Sequence, residues 1–119
     1  MINWKPDVEE HDYPAAHSYL SLAFHPSDSD KIIHALKNAP VEHYHAKDIL
    51  RSSKLPLLGK DNHHVKKDLA KITGHKPISP ILLVRDPANG RTIIADGYHR
   101  LCAAYHHNED EMIQIGRAH

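Results

Sequence analysis

The apolar positions of this chain follow two periods, which predict helices in some segments and strands in others. A spacing of three or four residues is typical of one face of a helix, whereas alternation or a short continuous apolar run is typical of a strand. The predicted helices cover residues 12–24, a short segment that ends at 38, 62–74 and 98–107, and the predicted strands cover 41–45, 81–84, 92–95 and 112–115. Asp12 is expected to cap the first helix, and Asp61 or Asn62 to cap the helix that ends at 74. Residues 46–50 are expected to form a single turn and 51–60 a loop, because the latter segment holds Pro56 and Gly59.

The order of these elements indicates an α+β fold. Residues 81–84 are a continuous apolar run, which suits a strand that is buried on both faces. Residues 86–90, with the sequence Asp-Pro-Ala-Asn-Gly, favour a tight turn to an antiparallel partner strand. Consecutive strands in a hairpin favour α+β over a doubly wound parallel sheet. We expect one compact domain, in which 1–40 form an N-terminal helical extension and 41–119 hold the sheet.

Composition excludes some functions and leaves others open. The 119 residues are 40% apolar and 25% charged, which is typical of a globular domain and not of a disordered one. Fifteen basic residues balance fifteen acidic ones, so binding to nucleic acid would require a local basic patch. The single Cys102 cannot form an internal disulfide, and no segment reads as a secretory signal or a membrane span. We therefore expect a cytoplasmic protein with no membrane contact.

The segment Asp96-Gly97-Tyr98-His99-Arg100 is the strongest candidate for a functional site. A strand that enters a helix through Gly leaves backbone N–H groups free at the start of the helix, where anions bind readily. Arg100 can meet two phosphate oxygens, and His99 offers a hydrogen-bond donor or a proton-transfer group. Asp96 can cap the helix, orient His99 or Arg100, or hold a magnesium ion. A purely structural turn, with Arg100 paired to a surface carboxylate, fits the same residues.

The residues around this turn resemble the ParB/sulfiredoxin superfamily. The resemblance is carried by the apolar strand 80–84, the Asn-Gly turn at 89–90, and the segment 93–104, where Asp-Gly-x-His-Arg precedes a helix of small residues. It extends over residues 41–119 and does not cover 1–40. It implies a ParB/sulfiredoxin-like fold, with a small mixed sheet and packed helices.

The same resemblance implies a nucleotide site. Sulfiredoxins bind ATP, ParB proteins bind and hydrolyse CTP, and a related free serine kinase uses ADP as phosphate donor. Carried over to this chain, Gly97, Tyr98, His99 and Arg100 form the turn that contacts the phosphates, and Asp96 supports the turn or a magnesium ion. The expected function is therefore nucleotide binding with magnesium-dependent phosphotransfer or nucleotide hydrolysis, using ATP, ADP or CTP.

Departures from the superfamily pattern narrow this expectation. Tyr98 stands where sulfiredoxin has its catalytic cysteine, which excludes sulfinic acid reduction by that route. Cys102 lies one helical turn later and is expected to be packed. The chain also ends at His119, before the helix-turn-helix and dimerisation domains of a partition ParB, so a complete centromere-binding protein is not expected.

Other candidate residues and functions remain open. Glu42, on the first predicted strand, is a candidate base for an attacking hydroxyl, beside Asp96 and His99 as further catalytic candidates. His43 and His45 share one face of that strand and could bind zinc if His99 approached as a third ligand. The preferred interpretation is that both are histidines on a partly exposed face with no metal.

The alternatives to an enzyme of phosphate chemistry are a non-catalytic regulatory or DNA-associated module and a metal-dependent nuclease. The basic residues of 51–60 and 63–67 would support nucleic-acid binding if they converged on Gly97. The stripe formed by Tyr19, Leu20 and Phe24 is expected to be core, with a homodimer contact as the alternative.

Overall fold

The computed structural model describes the backbone of residues 2–118 and the side chains of residues 2–113, and its elements follow the predicted order. The helices are α1 (Asp12–Leu20), α2 (Pro26–Asn38), α3 (Ala46–Ser53), α4 (His63–Thr73) and α5 (Tyr98–His107). The strands are β1 (Val41–His45), β2 (Ile81–Asp86), β3 (Arg91–Asp96) and β4 (Met112–Ala118), with a short 3₁₀ turn, Pro87–Asn89, between β2 and β3. The predicted α+β class is confirmed.

The strands form one mixed sheet in the order β1-β4-β2-β3. β4 pairs antiparallel with β1 and parallel with β2, and β2 pairs antiparallel with β3. The predicted hairpin is confirmed, and Gly90 ends its connection with a φ of 61°. Residues 81–84 are all buried, as predicted, because β2 is an inner strand with helices over both faces.

Each face of the sheet has its own apolar core. On one face, side chains of α3, α4 and α5 pack against Ile81, Leu83 and Ile94. On the other face, α1 and α2 pack Leu20 and Leu36 onto the sheet residues Leu82, Val84, Ile93 and Ala95. The two helices before residue 40, α1 and α2, therefore cover the second face of the sheet, whereas Ile2 and Trp4 pack against the first core.

Three local predictions are wrong. Asp12 does not cap α1: His11 is the N-cap, and the Asp12 side chain is buried in contacts described below. α1 ends at Leu20, before the predicted Phe24: residues 21–23 form turns, although Phe24 still packs against the second core. α3 is longer than the predicted single turn and includes residues 51–53. Both of its turns are packed against the rest of the protein, because Ile49 and Ser53 are buried.

The connection between α3 and α4 is fixed to α5 by hydrogen bonds. The Tyr98 hydroxyl donates to the Pro56 carbonyl, and His106 Nε2 lies 2.7 Å from the Leu58 carbonyl oxygen. Asn62 caps α4 as predicted, because its Oδ1 accepts from the N–H groups of His64 and Val65. None of the helices within residues 2–118 is long and apolar enough to cross a membrane.

Candidate functional site

β3 passes into α5 through Gly97, whose backbone is in the left-handed region with a φ of 99°. This conformation favours glycine because a Cβ meets the neighbouring carbonyl oxygen. A Cβ here would also lie 2.8 Å from Arg100 Nη2 and 3.1 Å from Ile81 Cγ1. No side chain among the described residues caps α5, so the first backbone N–H groups of this helix remain available to a ligand.

Arg100 is the centre of a partly enclosed cluster. Its Nη2 donates to Asp96 Oδ2 at 3.1 Å and to the Pro80 carbonyl at 3.2 Å, and it lies 3.9 Å from Asp12 Oδ2. Only 18% of the side chain is exposed, and the buried Nε has no partner within the part of the chain that the structure describes. The guanidinium is therefore held in place, and it does not extend freely into solvent.

Asp12 is the member of this cluster that the sequence did not reveal. Its side chain is only 5% exposed, and its Oδ2 accepts from the Ser79 hydroxyl at 2.5 Å. Ser79 Oγ in turn accepts from the Glu9 N–H at 3.3 Å. An Asp at the start of a helix has an ordinary capping interpretation, and only the packing of distant segments shows that it faces Arg100.

The environment of Asp96 favours its protonated form. Burial raises the pKa of Asp96, the Arg100 guanidinium acts in the opposite direction, and the nearby Asp12 carboxylate adds to the rise. Burial is the main cause of the raised pKa, and the crowding of two carboxylates around one cation is a smaller one. When both are ionised, the cluster carries a net negative charge.

A polar groove lies beside this turn, between α4 and the start of α5. Its volume is about 190 Å³, and it is lined by His64, Lys67, Asp68, Lys71, Asp96, Gly97, His99 and Arg100. A second cavity of about 250 Å³ shares Asp68, Lys71 and Arg100 with it and is lined on its far side by the N-terminal segment. The two cavities are therefore neighbouring parts of one groove. Larger cavities lie beside α3 and beside Trp4, away from the Gly97 turn.

Lys67 and Lys71 supply unpaired positive charge to this groove. They lie four residues apart on α4, so they occupy the same helix face. Neither lysine forms an ion pair with any residue whose side chain is described, whereas Lys5 and Lys47 each pair with a carboxylate. The sequence showed a basic run at 63–67, but it did not show which of its residues face the turn.

His99 stacks beside His64 at the same place. The ring centroids lie 4.7 Å apart at an interplanar angle of 45°. Burial lowers the pKa of His99, the neighbouring His64 and Arg100 lower it further, and Asp68 opposes the shift. A histidine with a pKa below its usual 6.5 is largely neutral at pH 7 and can accept a proton.

Tyr98 contributes to the turn through its backbone alone. Its hydroxyl donates to the carbonyl of Pro56 in the α3–α4 connection, so the side chain is engaged outside the groove. Cys102 is fully buried, as expected from its packing position, and burial raises the pKa of its thiol. Neither side chain is presented to the groove.

Glu42 and the two strand histidines are not brought to the groove. β1 is separated from β3 by β4 and β2, a distance of about 14 Å at the usual strand spacing. Glu42, His43 and His45 all lie on this distant strand. The Nδ1 atom of His45 lies 2.7 Å from the Asp110 carbonyl oxygen. Within the described residues, no group of three or more His, Cys, Asp or Glu side chains could hold a metal ion.

The two basic segments lie in different places. His64 and Lys67 line the groove, whereas Arg51 and Lys54 line a separate cavity beside Tyr105. Arg51 is also close to Asp48, at 3.4 Å. Of the two basic segments, only the α4 part therefore meets the condition set for the nucleic-acid alternative, which was that both converge on Gly97.

No protein-family model, curated protein or solved structure matches this chain. The likeness to the ParB/sulfiredoxin superfamily therefore stays a resemblance, carried by the residues between 80 and 104. The geometry of the groove is what bears on function.

Proposed function

We propose that the groove between α4 and the start of α5 binds the phosphate groups of a nucleotide such as ATP, ADP or CTP. The observation that carries this proposal is the position of Lys67 and Lys71, which line the groove with the uncapped start of α5 at Gly97 and form no ion pair with the side chains that the structure describes. Backbone N–H groups and lysine ammonium groups are both donors that bind phosphate oxygens. Their convergence on one small polar groove favours an anion over an apolar ligand.

The spacing of the two lysines suits a chain of phosphates. Residues four apart on a helix are separated by about 6 Å along its axis, so Lys67 and Lys71 can reach different phosphate groups of one ligand. Lysine binds phosphate as a flexible point charge and tolerates this range of geometry. Arg100, held by its carboxylates, would add charge at the edge of the groove.

Magnesium is the proposed second component of the site. Mg²⁺ usually takes one or two carboxylates together with phosphate oxygens and water. Asp68 lines both parts of the groove, and its carboxylate forms no hydrogen bond or ion pair with the described residues. Asp96 is a second carboxyl group at the groove, but its Oδ2 accepts from Arg100, and it would bind the ion only in its ionised form. These residues fit a magnesium ion held mainly by phosphate, and a bound ion would neutralise part of the phosphate charge.

The chemistry we propose is phosphotransfer or nucleotide hydrolysis, with His99 as the base. Its lowered pKa keeps the imidazole neutral at pH 7, so it can accept the proton of an attacking hydroxyl or water. Lys67, Lys71 and the N–H groups of α5 would stabilise the phosphate charge that develops in the transition state. Glu42 is not needed for this arrangement.

Calorimetric titration tests the binding step. ATP, ADP, CTP and GTP, each with magnesium, and tripolyphosphate alone are titrated into the wild type and into a Lys67→Ala/Lys71→Ala variant. We expect micromolar binding of at least one nucleotide and a loss of about tenfold or more in the variant, since each charged contact contributes about 1.5 kcal/mol or more. Lys66→Ala is the matched control, because this exposed lysine of α4 does not line the groove.

The result of the titration, together with an assay for released phosphate, distinguishes an enzyme from a regulatory module. Absence of binding to all of these ligands, or unchanged affinity in the double variant, would refute the proposal. Binding with release of phosphate that His99→Gln abolishes would support catalysis. Binding without turnover would indicate the regulatory module instead.

A further inference from the structure

The N-terminal segment, residues 2–12, runs alongside residues 76–79, which are separated from β2 by Pro80. Trp4 and Ile78 form a parallel bridge, in which the Lys5 N–H donates to the Ile78 carbonyl at 2.8 Å and the Ile78 N–H donates to the Asn3 carbonyl at 2.9 Å. This pairing places Asp12 next to Ser79 and within reach of Arg100. A segment outside the region of family resemblance therefore contributes to the wall of the groove.

We infer that Asp12 is a positioning residue that fixes Arg100 for phosphate binding. The inference rests on the proposed function, because it assigns a role within the same groove. It also makes residues 2–12 part of the site.

The burial of Asp12 requires a cationic partner. A carboxylate that is removed from water is costly unless it is hydrogen-bonded and paired with a positive charge. Ser79 supplies the hydrogen bond, and Arg100 is the permanent cation that faces it. His11 Nε2 lies 3.4 Å from Asp12 Oδ1, but its side chain is 76% exposed and it is charged only when protonated.

The Arg100 guanidinium needs more than one restraint to stay in place. Asp96 lies four residues earlier in the same turn, so a contact with Asp96 alone would allow the guanidinium to pivot about it. Asp12 belongs to α1 and adds a charge from a different element, while the Pro80 carbonyl accepts from the same Nη2. Nη1 forms no hydrogen bond with the described residues and, unlike Nε, is not among their fully buried unpartnered atoms, so it is a donor that can reach a phosphate oxygen.

A double-mutant cycle in binding tests this role. Tripolyphosphate affinity is measured for the wild type, Asp12→Asn, Arg100→Ala and the double variant, with folding checked by circular dichroism. Asp12→Asn keeps an oxygen that can accept from Ser79 but loses the charge that faces Arg100. We expect it to weaken binding about threefold to tenfold in the wild type and to have no further effect in the Arg100→Ala background.

The direction of the change distinguishes positioning from simple electrostatics. Removal of a negative charge near an anion site raises anion affinity when no positioning is involved. Unchanged or increased affinity in Asp12→Asn, or additive effects of the two substitutions, would overturn the inference. Asp28→Asn, at an exposed position in the first turn of α2, is the control for loss of one carboxylate and is expected to leave affinity unchanged.

A second readout does not require a ligand. Because Nε of Arg100 is buried, its N–H should give a slowly exchanging signal in ¹⁵N NMR spectra, and Asp12→Asn should accelerate this exchange. If the wild type binds no tripolyphosphate, the proposed function fails, and the NMR signal still decides whether Asp12 holds Arg100. An unchanged exchange rate in Asp12→Asn would reject the positioning role by itself.

Discussion

Asp12 Oδ2 lies 3.9 Å from Arg100 Nη2, although one residue comes from the first helix and the other from the last. Asp96 Oδ2 lies 3.1 Å from the same nitrogen. The cluster therefore joins α1, β3 and α5 at the edge of the groove. Because its charges are mostly enclosed, changes to any member are expected to affect both stability and anion binding.

Arg100→Ala is expected to destabilise the fold by about 2–4 kcal/mol at pH 7. The substitution leaves Asp12 and Asp96 close together without their shared cation, and a carboxylate that is buried without a partner is costly. Urea unfolding followed by circular dichroism measures the change. Arg51→Ala is the control: this arginine is 86% exposed beside Asp48, so its loss should cost less than about 0.5 kcal/mol. Equal effects of the two substitutions would contradict the enclosed cluster.

Gly97→Ala is expected to cost more stability than Gly90→Ala. Both glycines have a positive φ, so alanine carries a backbone penalty of about 1–2 kcal/mol at either position. At Gly90 a Cβ has open space, whereas at Gly97 it would lie 2.8 Å from Arg100 Nη2. Thermal or urea unfolding of both variants gives the additional loss at Gly97, which combines the close contact with a φ of 99° that lies further from the left-handed region open to alanine than the 61° of Gly90. Identical losses would show that Arg100 moves aside freely.

The sequence predicted the elements well because their signals are local. The apolar run at 81–84, the turn chemistry at 86–90 and the cap at Asn62 each depend on neighbouring residues, and all three are confirmed. The candidate site was predicted only in part, because some of its residues are brought together by contacts between distant segments. Gly97, His99 and Arg100 are contiguous, but Lys71 and Asp12 reach the groove through tertiary packing. Glu42 looked suitable on its strand, yet the sheet order puts two strands between β1 and β3.

Leu20→Ala is expected to destabilise the protein by about 2–5 kcal/mol, although it lies outside the region of family resemblance. Leu20 is fully buried between α1 and the sheet, and its truncation leaves a cavity in the second core. Leu22→Ala is the control in the same segment, because Leu22 is almost fully exposed and should change stability by less than about 0.5 kcal/mol. Urea unfolding at neutral pH compares them. A small effect at Leu20 would mean that α1 is not part of the cooperative core.

Asp96 is expected to make the protein less stable as the pH rises through the weakly acidic range. Burial, with a further contribution from Asp12, raises the pKa of Asp96 above its usual value of 3.8. Between 3.8 and the raised pKa, the folded state binds more protons at this residue than the unfolded state does. Stability therefore falls as the pH rises through this window and levels off above the raised pKa.

Asp96→Asn isolates this contribution, because the amide has no proton to lose. The free energy of urea unfolding is measured from about pH 4 to about pH 8 for the wild type and the variant, since the slope of stability against pH reports the difference in bound protons. Other carboxylates titrate in both proteins, so the prediction concerns the difference between the two curves: the wild type should lose stability relative to the variant as the pH rises. Asp28→Asn, at an exposed position, is the control for the loss of one carboxylate. If the stability curves of Asp96→Asn and the wild type run parallel over the whole pH range, the pKa of Asp96 is the same in the folded and unfolded states. The description of Asp96 as a buried carboxyl group crowded by Asp12 would then be wrong.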